Sequence, residues 1–257
     1  MPAVPPAGYR REAFASLPST NTTAFARAHA GAASGLWVTA AEQTAGRGRR
    51  GRRWHGGTGN LAASLLLIDP APPAIVATVS FAAGVALHQA AIDLTGPAAV
   101  ERLRLKWPNH LLLDRLKVAG IVVEGDKLAA GNFAVVIGIG VNCRSHPDGG
   151  TIHPASDFAA RGLPLEAEDL FERLAARMAE ELTRWDHAGN FAATRQAWLA
   201  RSLGVGEPIR VNLAARTIDG RFDTLDEEGR LVVARSDGAR ELISAGDVFF
   251  GGTHEHA

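Results

Sequence analysis

Cysteine is nearly absent from this chain: Cys143 is the single one in 257 residues. One cysteine excludes an internal disulfide framework and any multi-cysteine zinc site, and it suits a reducing compartment, so a cytosolic protein is expected. An excess of either charge is also lacking, with 27 Lys and Arg against 27 Asp and Glu. That balance argues against a nucleic-acid coat or a membrane-surface protein, because both need a basic excess spread over a face. Met1-Pro2-Ala3-Val4-Pro5-Pro6 offers no apolar core for a secretory signal. The long apolar run from Ile75 to Leu94 is interrupted by Ser80, His88, Gln89 and Asp93, which predicts a buried amphipathic helix rather than a membrane span. Paired carboxylates, a nucleophile elbow and metal-spaced histidines are missing; His29, His88, His187, His254 and His256 read as surface or core residues.

Against this neutral background, positions 46 to 53 hold five arginines and three glycines, and Trp54 closes the segment. Glycine lets backbone N–H groups approach a ligand, and each arginine brings a permanent charge on a planar fork that matches phosphate and carboxylate. The segment reads as an anion site. The plainer alternative is a solvated basic loop or a nucleic-acid patch.

The surrounding pattern is mixed α and β without an internal repeat. Ser19-Thr20-Asn21 caps a helix that ends at Gly31, Leu36 to Ala41 and Leu61 to Ile68 are strands, and the arginine loop hangs between them. Arg102 to Trp107 and Val118 to Glu124 form short strands joined by a hairpin-like connection through Pro108-Asn109 and Asp114-Arg115, and Phe133 to Ile139 is a further strand. Residues 143 to 162 turn polar and rich in Gly, Pro, His and Ser, a loop of a length that is usually functional or disordered. Two helices follow, over 166–186 and 191–199. Beyond Gly204, five short alternating runs punctuated by glycines predict a small β-barrel and place a boundary between units of 1–203 and 204–257.

Two more constellations stand out. Lys106-Trp107-Pro108-Asn109-His110 precedes Lys117-Val118-Ala119-Gly120, where Lys117 is either a cleft cation suited to phosphate oxygens or a snorkelling edge lysine. Gly138-Ile139-Gly140-Val141-Asn142 lacks the third glycine and following helix of a dinucleotide fingerprint; it reads as a glycine-lined strand end offering Asn142 to a ligand.

Taken in order, these segments resemble the biotin protein ligases, the biotin-[acetyl-CoA-carboxylase] synthetase family, over nearly the whole chain. The resemblance implies an α+β fold, with a mixed-sheet catalytic domain of the biotin/lipoate ligase type and a small C-terminal SH3-like β-barrel. It implies that Ser19, Thr20, Asn21 and Gln43 grip the biotin ring system. Gly46, Arg47, Gly48 and Arg49 would fold over biotin and its carboxylate, with Lys117 and Gly120 also against biotin. Arg49, Arg52, Trp54, Asn109, Lys117 and Asn142 would surround ATP or the adenylate. Lys117, Arg47 and Arg49 are the expected catalytic cations. Biotin and ATP would be substrates with Mg²⁺ assisting, and a lysine of a biotin carboxyl carrier protein the acceptor.

The resemblance departs at His110, where the family typically carries Asp. A carboxylate suits a hard cation better than imidazole, so altered Mg²⁺ dependence is expected and no metal ligand is assigned. Fewer than twenty residues precede Ser19, too few for a helix-turn-helix module, so DNA binding is not expected. Apolar edge strands leave monomer and homodimer both open. The rival readings are a lipoate or octanoate ligase, a non-catalytic biotin- or nucleotide-binding paralogue, and an RNA-binding loop protein.

Overall fold

In the computed structural model, residues 8–129 and 131–250 are described. The prolines of the first six residues and His254 and His256 lie outside them. The elements run β1 (Arg10–Leu17), α1 (Thr20–His29), β2 (Leu36–Gln43), β3 (Leu61–Ile68), α2 (Val79–Thr95), β4 (Leu103–Lys106), β5 (His110–Leu113), β6 (Leu116–Lys127), β7 (Phe133–Val141), α3 (Ala167–Trp185) and α4 (Phe191–Leu199). After them come β8 (Pro208–Asn212), β9 (Thr217–Leu225), β10 (Leu231–Ala234), β11 (Arg240–Ile243) and β12 (Asp247–Phe250).

The first seven strands form one sheet in the order β1-β2-β3-β7-β6-β5-β4. β1 is parallel to β2 and the remaining pairs are antiparallel, so the sheet is mixed. β3 is apolar on both faces because both are covered: α1 packs on one side, and α2 with α3 on the other. α3 follows the expected 3.6-residue rhythm, burying Leu170, Phe171, Leu174, Met178 and Trp185.

Three expectations are corrected. β1 was not anticipated; its alternation of exposed and half-buried residues is weak because it is an edge strand. The connection between residues 107 and 118 contains a strand of its own, β5, and turns into β6 through Asp114 and Arg115, both at positive φ (51° and 66°) as a two-residue hairpin requires. α2 is not amphipathic: residues 81 to 88 are all buried, because the sheet lies under it and α3 and α4 cover its outer side. The stretch Val76–Thr95 is long and apolar enough to cross a membrane by length and composition, yet 72% of that window is buried inside this fold.

The last five strands form a separate antiparallel sheet in the order β11-β10-β9-β8-β12, the small β unit expected at the C-terminus. It is seated on the larger sheet's helical side. Gly229, at φ +79°, lies where an added Cβ would come 2.5 Å from Phe81, and its carbonyl accepts a 3.1 Å hydrogen bond from Trp107 Nε1. Edge strand β4 is covered by residues 201 to 203, which bond to both backbone groups of Leu105.

What positions the site is a row of small residues across the sheet. Cross-strand partners share a face, and Ala40, Ala62, Gly140, Gly120, His110 and Lys106 are successive partners on β2, β3, β7, β6, β5 and β4. A Cβ on Gly140 would lie 2.4 Å from the Trp54 ring, and one on Gly138 would lie 2.2 Å from Asn21 Oδ1. The glycines therefore leave the floor on which other segments settle. We expect Gly140→Val to unseat Trp54 and lower stability by about 1–3 kcal/mol, read as the shift in the urea midpoint at constant slope.

Candidate active site

A cleft of about 380 Å³ opens over this row. Three segments meet around it: the N-terminus of α1, the arginine loop between β2 and β3, and part of the loop after β7.

The α1 end is built from short polar side chains. Ser19 is its N-cap. Thr20 donates to Gln43 Oε1 from both its backbone N (2.8 Å) and its hydroxyl (3.0 Å), and the Ser64 hydroxyl lies 2.7 Å from Thr20 Oγ1 and 2.6 Å from Asn21 Oδ1. Asn21 Nδ2 donates to Glu124. Buried polar atoms so interlocked hold fixed positions, which suits recognition of a neutral polar ring system.

The arginine loop is itself a small hairpin. Arg47 and Arg53 bridge, and Trp54 N donates to Gly46 O at 2.9 Å. A Cβ on Gly46 would sit 2.8 Å from Trp54 O, so close backbone approach explains that glycine. The arginines are not equivalent. Arg47 donates to Glu124 (3.2 and 3.3 Å) and to Thr22 Oγ1 (2.7 Å). Arg52 forms a two-pronged pair with Asp247 (3.0 and 2.7 Å), to which Arg50 adds a bond at 3.2 Å. Arg49 has no carboxylate partner among the described residues; its Nη1 donates to Asn109 Oδ1 at 3.3 Å. Burial, then Arg50, draws its pKa down.

Lys117 reaches the cleft through a β-bulge. Leu111 pairs with Ala119 but Leu112 pairs with Lys117, so Val118 is the extra residue. Val118 and Ala119 both enter the core, and Lys117 returns to the face that Gly120 occupies. Its ammonium lies 5.3 Å from the Trp54 ring centroid and pairs with no carboxylate among the described residues. Burial foremost, then the Arg52 charge, lowers its pKa to about 8, with Asp247 opposing.

Of the residues expected from sequence, Ser19, Thr20, Asn21, Gln43, Arg47, Gly48, Arg49, Arg52, Trp54, Asn109, Lys117 and Gly120 line the cleft. Gly46 and Asn142 do not. Asn142 is buried behind it, where its Nδ2 donates to Ser156 O at 3.0 Å and holds the loop that follows β7. Sequence reasoning did not anticipate His153, from that loop, or Asp247, from β12. His153 Nδ1 lies 3.2 Å from Lys106 Nζ, its ring is 5.2 Å from that of His110, and burial above all lowers its pKa to about 3. Hydrogen bonding from Arg52 holds Asp247 below the usual carboxylate range.

These residues do not fit a protein-held Mg²⁺. Asp247 is the cleft's acidic lining residue, and both its oxygens are engaged by arginine. His110 is kept neutral by burial and by the charge of Lys117, its pKa well below the ordinary value. Among the described residues no group of three or more His, Cys, Asp or Glu could hold a metal ion. The cleft is a cationic chamber.

Together these features define an α+β protein whose cleft sets several cations over a glycine floor. The Biotin/lipoate A/B protein ligase family matches residues 13–142, and the Biotin protein ligase C terminal domain matches residues 204–251. The biotin--[acetyl-CoA-carboxylase] ligase of Paracoccus denitrificans is 40% identical over 239 residues, spanning 91% of this chain and 98% of that protein. The protein of the same name from Mycobacterium tuberculosis is 33% identical, spanning 94% and 89%. The chain belongs to the biotin/lipoate A/B protein ligase family. Its fold superposes on a biotin protein ligase from Aquifex aeolicus, solved with biotin and ATP, with a TM-score of 0.76 at 23% identity, covering 94% of this chain and 98% of that one.

The pKa of Lys117 sets a pH test. The protonated form attracts anions, so its contribution to affinity is complete below pH 8 and lost above it. The dissociation constant for sulfate, an anion that does not itself titrate in this range, should rise above pH 8 by up to about tenfold per pH unit when followed by calorimetry, and Lys117→Gln should flatten that limb.

Proposed function

We propose that this chain activates biotin with ATP to biotinyl-5′-AMP and transfers the biotinyl group to a lysine of a biotin carboxyl carrier protein. The observation that carries this reading is the convergence of the polar α1 end with Arg49 and Lys117, which have no carboxylate partner among the described residues, over one glycine floor, in a chain 40% identical to a biotin--[acetyl-CoA-carboxylase] ligase.

The physical problem is charge. Biotin's carboxylate must approach the α-phosphate of ATP, and two unit charges about 4 Å apart repel by roughly 4 kcal/mol at an effective dielectric near 20. Arg49 and Lys117 can face the carboxylate and the α-phosphate, and preorganised donors of this kind contribute about 3–4 kcal/mol each. Arg47, held by Glu124 and Thr22, anchors the loop beside them. The carboxylate oxygen attacks the α-phosphorus and pyrophosphate leaves. Ser19, Thr20, Asn21 and Gln43 take the biotin ring, and Arg52, Trp54 and Asn109 the nucleotide. Mg²⁺ enters as the counter-ion of ATP, as part of the substrate. The resulting mixed anhydride needs shelter from water, and the hairpin of residues 46–54, jointed by Gly48 and Gly51, supplies it. The units 1–203 and 204–257 act together, since Asp247 of the second reaches the cleft of the first. A reducing cytosol suits Cys143, a buried free thiol whose pKa burial raises to about 11.

The protein mixed with biotin, ATP, Mg²⁺ and a carrier domain should add one biotinyl group to the carrier, seen by mass spectrometry. Lys117→Ala should slow adenylate formation by about 10²-fold or more, and lipoate should not compete with biotin. Tight biotin binding without carrier labelling would instead mark a non-catalytic paralogue. A second expectation concerns His110. ATP–pyrophosphate exchange should depend only weakly on Mg²⁺ above stoichiometry with ATP, and His110→Asp, which places a carboxylate among Lys106, Lys117 and Arg49, should steepen that dependence.

A further inference from the structure

A second cleft, of about 450 Å³, adjoins the first and is lined by Glu42, Thr44, Gly56, Gly57, His146 and neighbouring residues. The two clefts share Gln43, Arg53, Trp54 and His55. On the ligase reading, Gln43 touches biotin and Trp54 the adenylate, so the shared wall spans the bond that joins them.

His146 is held at this second cleft by an arrangement that a bare surface loop would not need. Its Nδ1 lies 2.6 Å from Oδ2 of Asp157, a buried carboxylate whose other oxygen accepts from Ala160 N at 2.6 Å. The segment leading to it is pinned by Asn60: Asn60 Oδ1 accepts from the backbone N–H groups of Cys143, Arg144 and Ser145 (2.9, 2.9 and 3.2 Å), and its Nδ2 donates to Ser145 O at 2.9 Å. A carboxylate on Nδ1 selects the tautomer that carries its proton there and leaves the Nε2 lone pair free. No protein group among the described residues hydrogen-bonds to Nε2. Glu42, Arg53 and His55 also line this cleft, and Arg144 beside His146 is paired with Glu166.

Transfer to a carrier needs a base, because the acceptor lysine arrives as an ammonium and only its neutral amine attacks. Of the basic groups in the main cleft, His55 stands exposed on the shared wall with no carboxylate among the described residues to orient it, and the others are engaged or neutral. Asp247 is engaged by two arginines, and His110 and His153 are buried neutral beside lysines, where a further proton is least welcome.

Resting on the ligase reading, we propose that the second cleft admits the acceptor lysine and that His146, oriented by Asp157, takes its proton. The ammonium gives one proton to Nε2, and the freed lone pair forms the N–C bond to the acyl carbon. The C–O bond to the phosphate then breaks, and AMP leaves with its electron pair. The second N–H proton passes to water in the open cleft, and His146 releases its own proton the same way.

The test compares two nucleophiles on preformed biotinyl-adenylate near pH 7: the carrier lysine, which needs a base, and hydroxylamine, which is already neutral and does not. In His146→Gly the ratio of lysine transfer to hydroxylamine capture should fall by about 10²-fold, added imidazole should restore it, and Asp157→Asn should lower it in the same direction. A ratio unchanged in His146→Gly, whether both rates hold or both fall together, would overturn the proposal. Failure of the wild-type protein to form any adenylate would instead strike the ligase reading itself.

Discussion

Crowding of like charges is the constraint on which this structure turns. Arg49, Arg50, Arg52 and Lys117 line one cleft, and burial first, then the neighbouring cations, lowers the pKa values of Arg49 and Lys117. The fold contains this repulsion by pairing some of the arginines with acids and letting Asp247 offset the rest only from a distance. Glu124 takes Arg47 and Asp247 takes Arg50 and Arg52, while Arg49 and Lys117 pair with no carboxylate among the described residues. Repulsion so arranged is relieved when an anion enters, and binding and electrostatic relief become one event.

Position depends on backbone devices more than on the charged side chains themselves. Lys117 faces the cleft only because the bulge at Val118 turns two successive residues inward. Trp54 and Asn21 reach the sheet because Gly140 and Gly138 carry no side chain to meet them. The neutral imidazoles at 110 and 153 meet edge to face within the influence of Lys106 and Lys117, and the Phe249 ring of the small sheet lies 5.1 Å from that of His153.

Much of this was legible in the sequence because it was written in local pattern. The alternation and apolar runs of β2, β3 and β7, the cap at Ser19, and the rhythm of α3 are each decided within a dozen residues. The arginine loop announced itself by composition. What escaped was decided at a distance. Asp247 sits in an ordinary alternating run, and nothing local shows that β12 will deliver it some 195 positions away to Arg52. α2 looked two-faced because Ser80, His88 and Gln89 interrupt it, yet helices later in the chain enclose those positions. A hint for Lys117 was available in its spacing. Lys117 and Gly120 are three apart, so an unbroken strand would put them on opposite faces, and only an irregularity lets both serve one cleft.

The placement of the aromatic residues gives the molecule an optical handle. Of its five tryptophans, Trp37, Trp107, Trp185 and Trp198 are sealed in the interior, whereas Trp54 is half-buried, laid against two glycines with an ammonium near its ring. Four indoles thus contribute a constant blue-shifted emission. The remaining one responds to whatever displaces water or charge beside it, so the native chain carries its own fluorescent reporter of cleft occupancy.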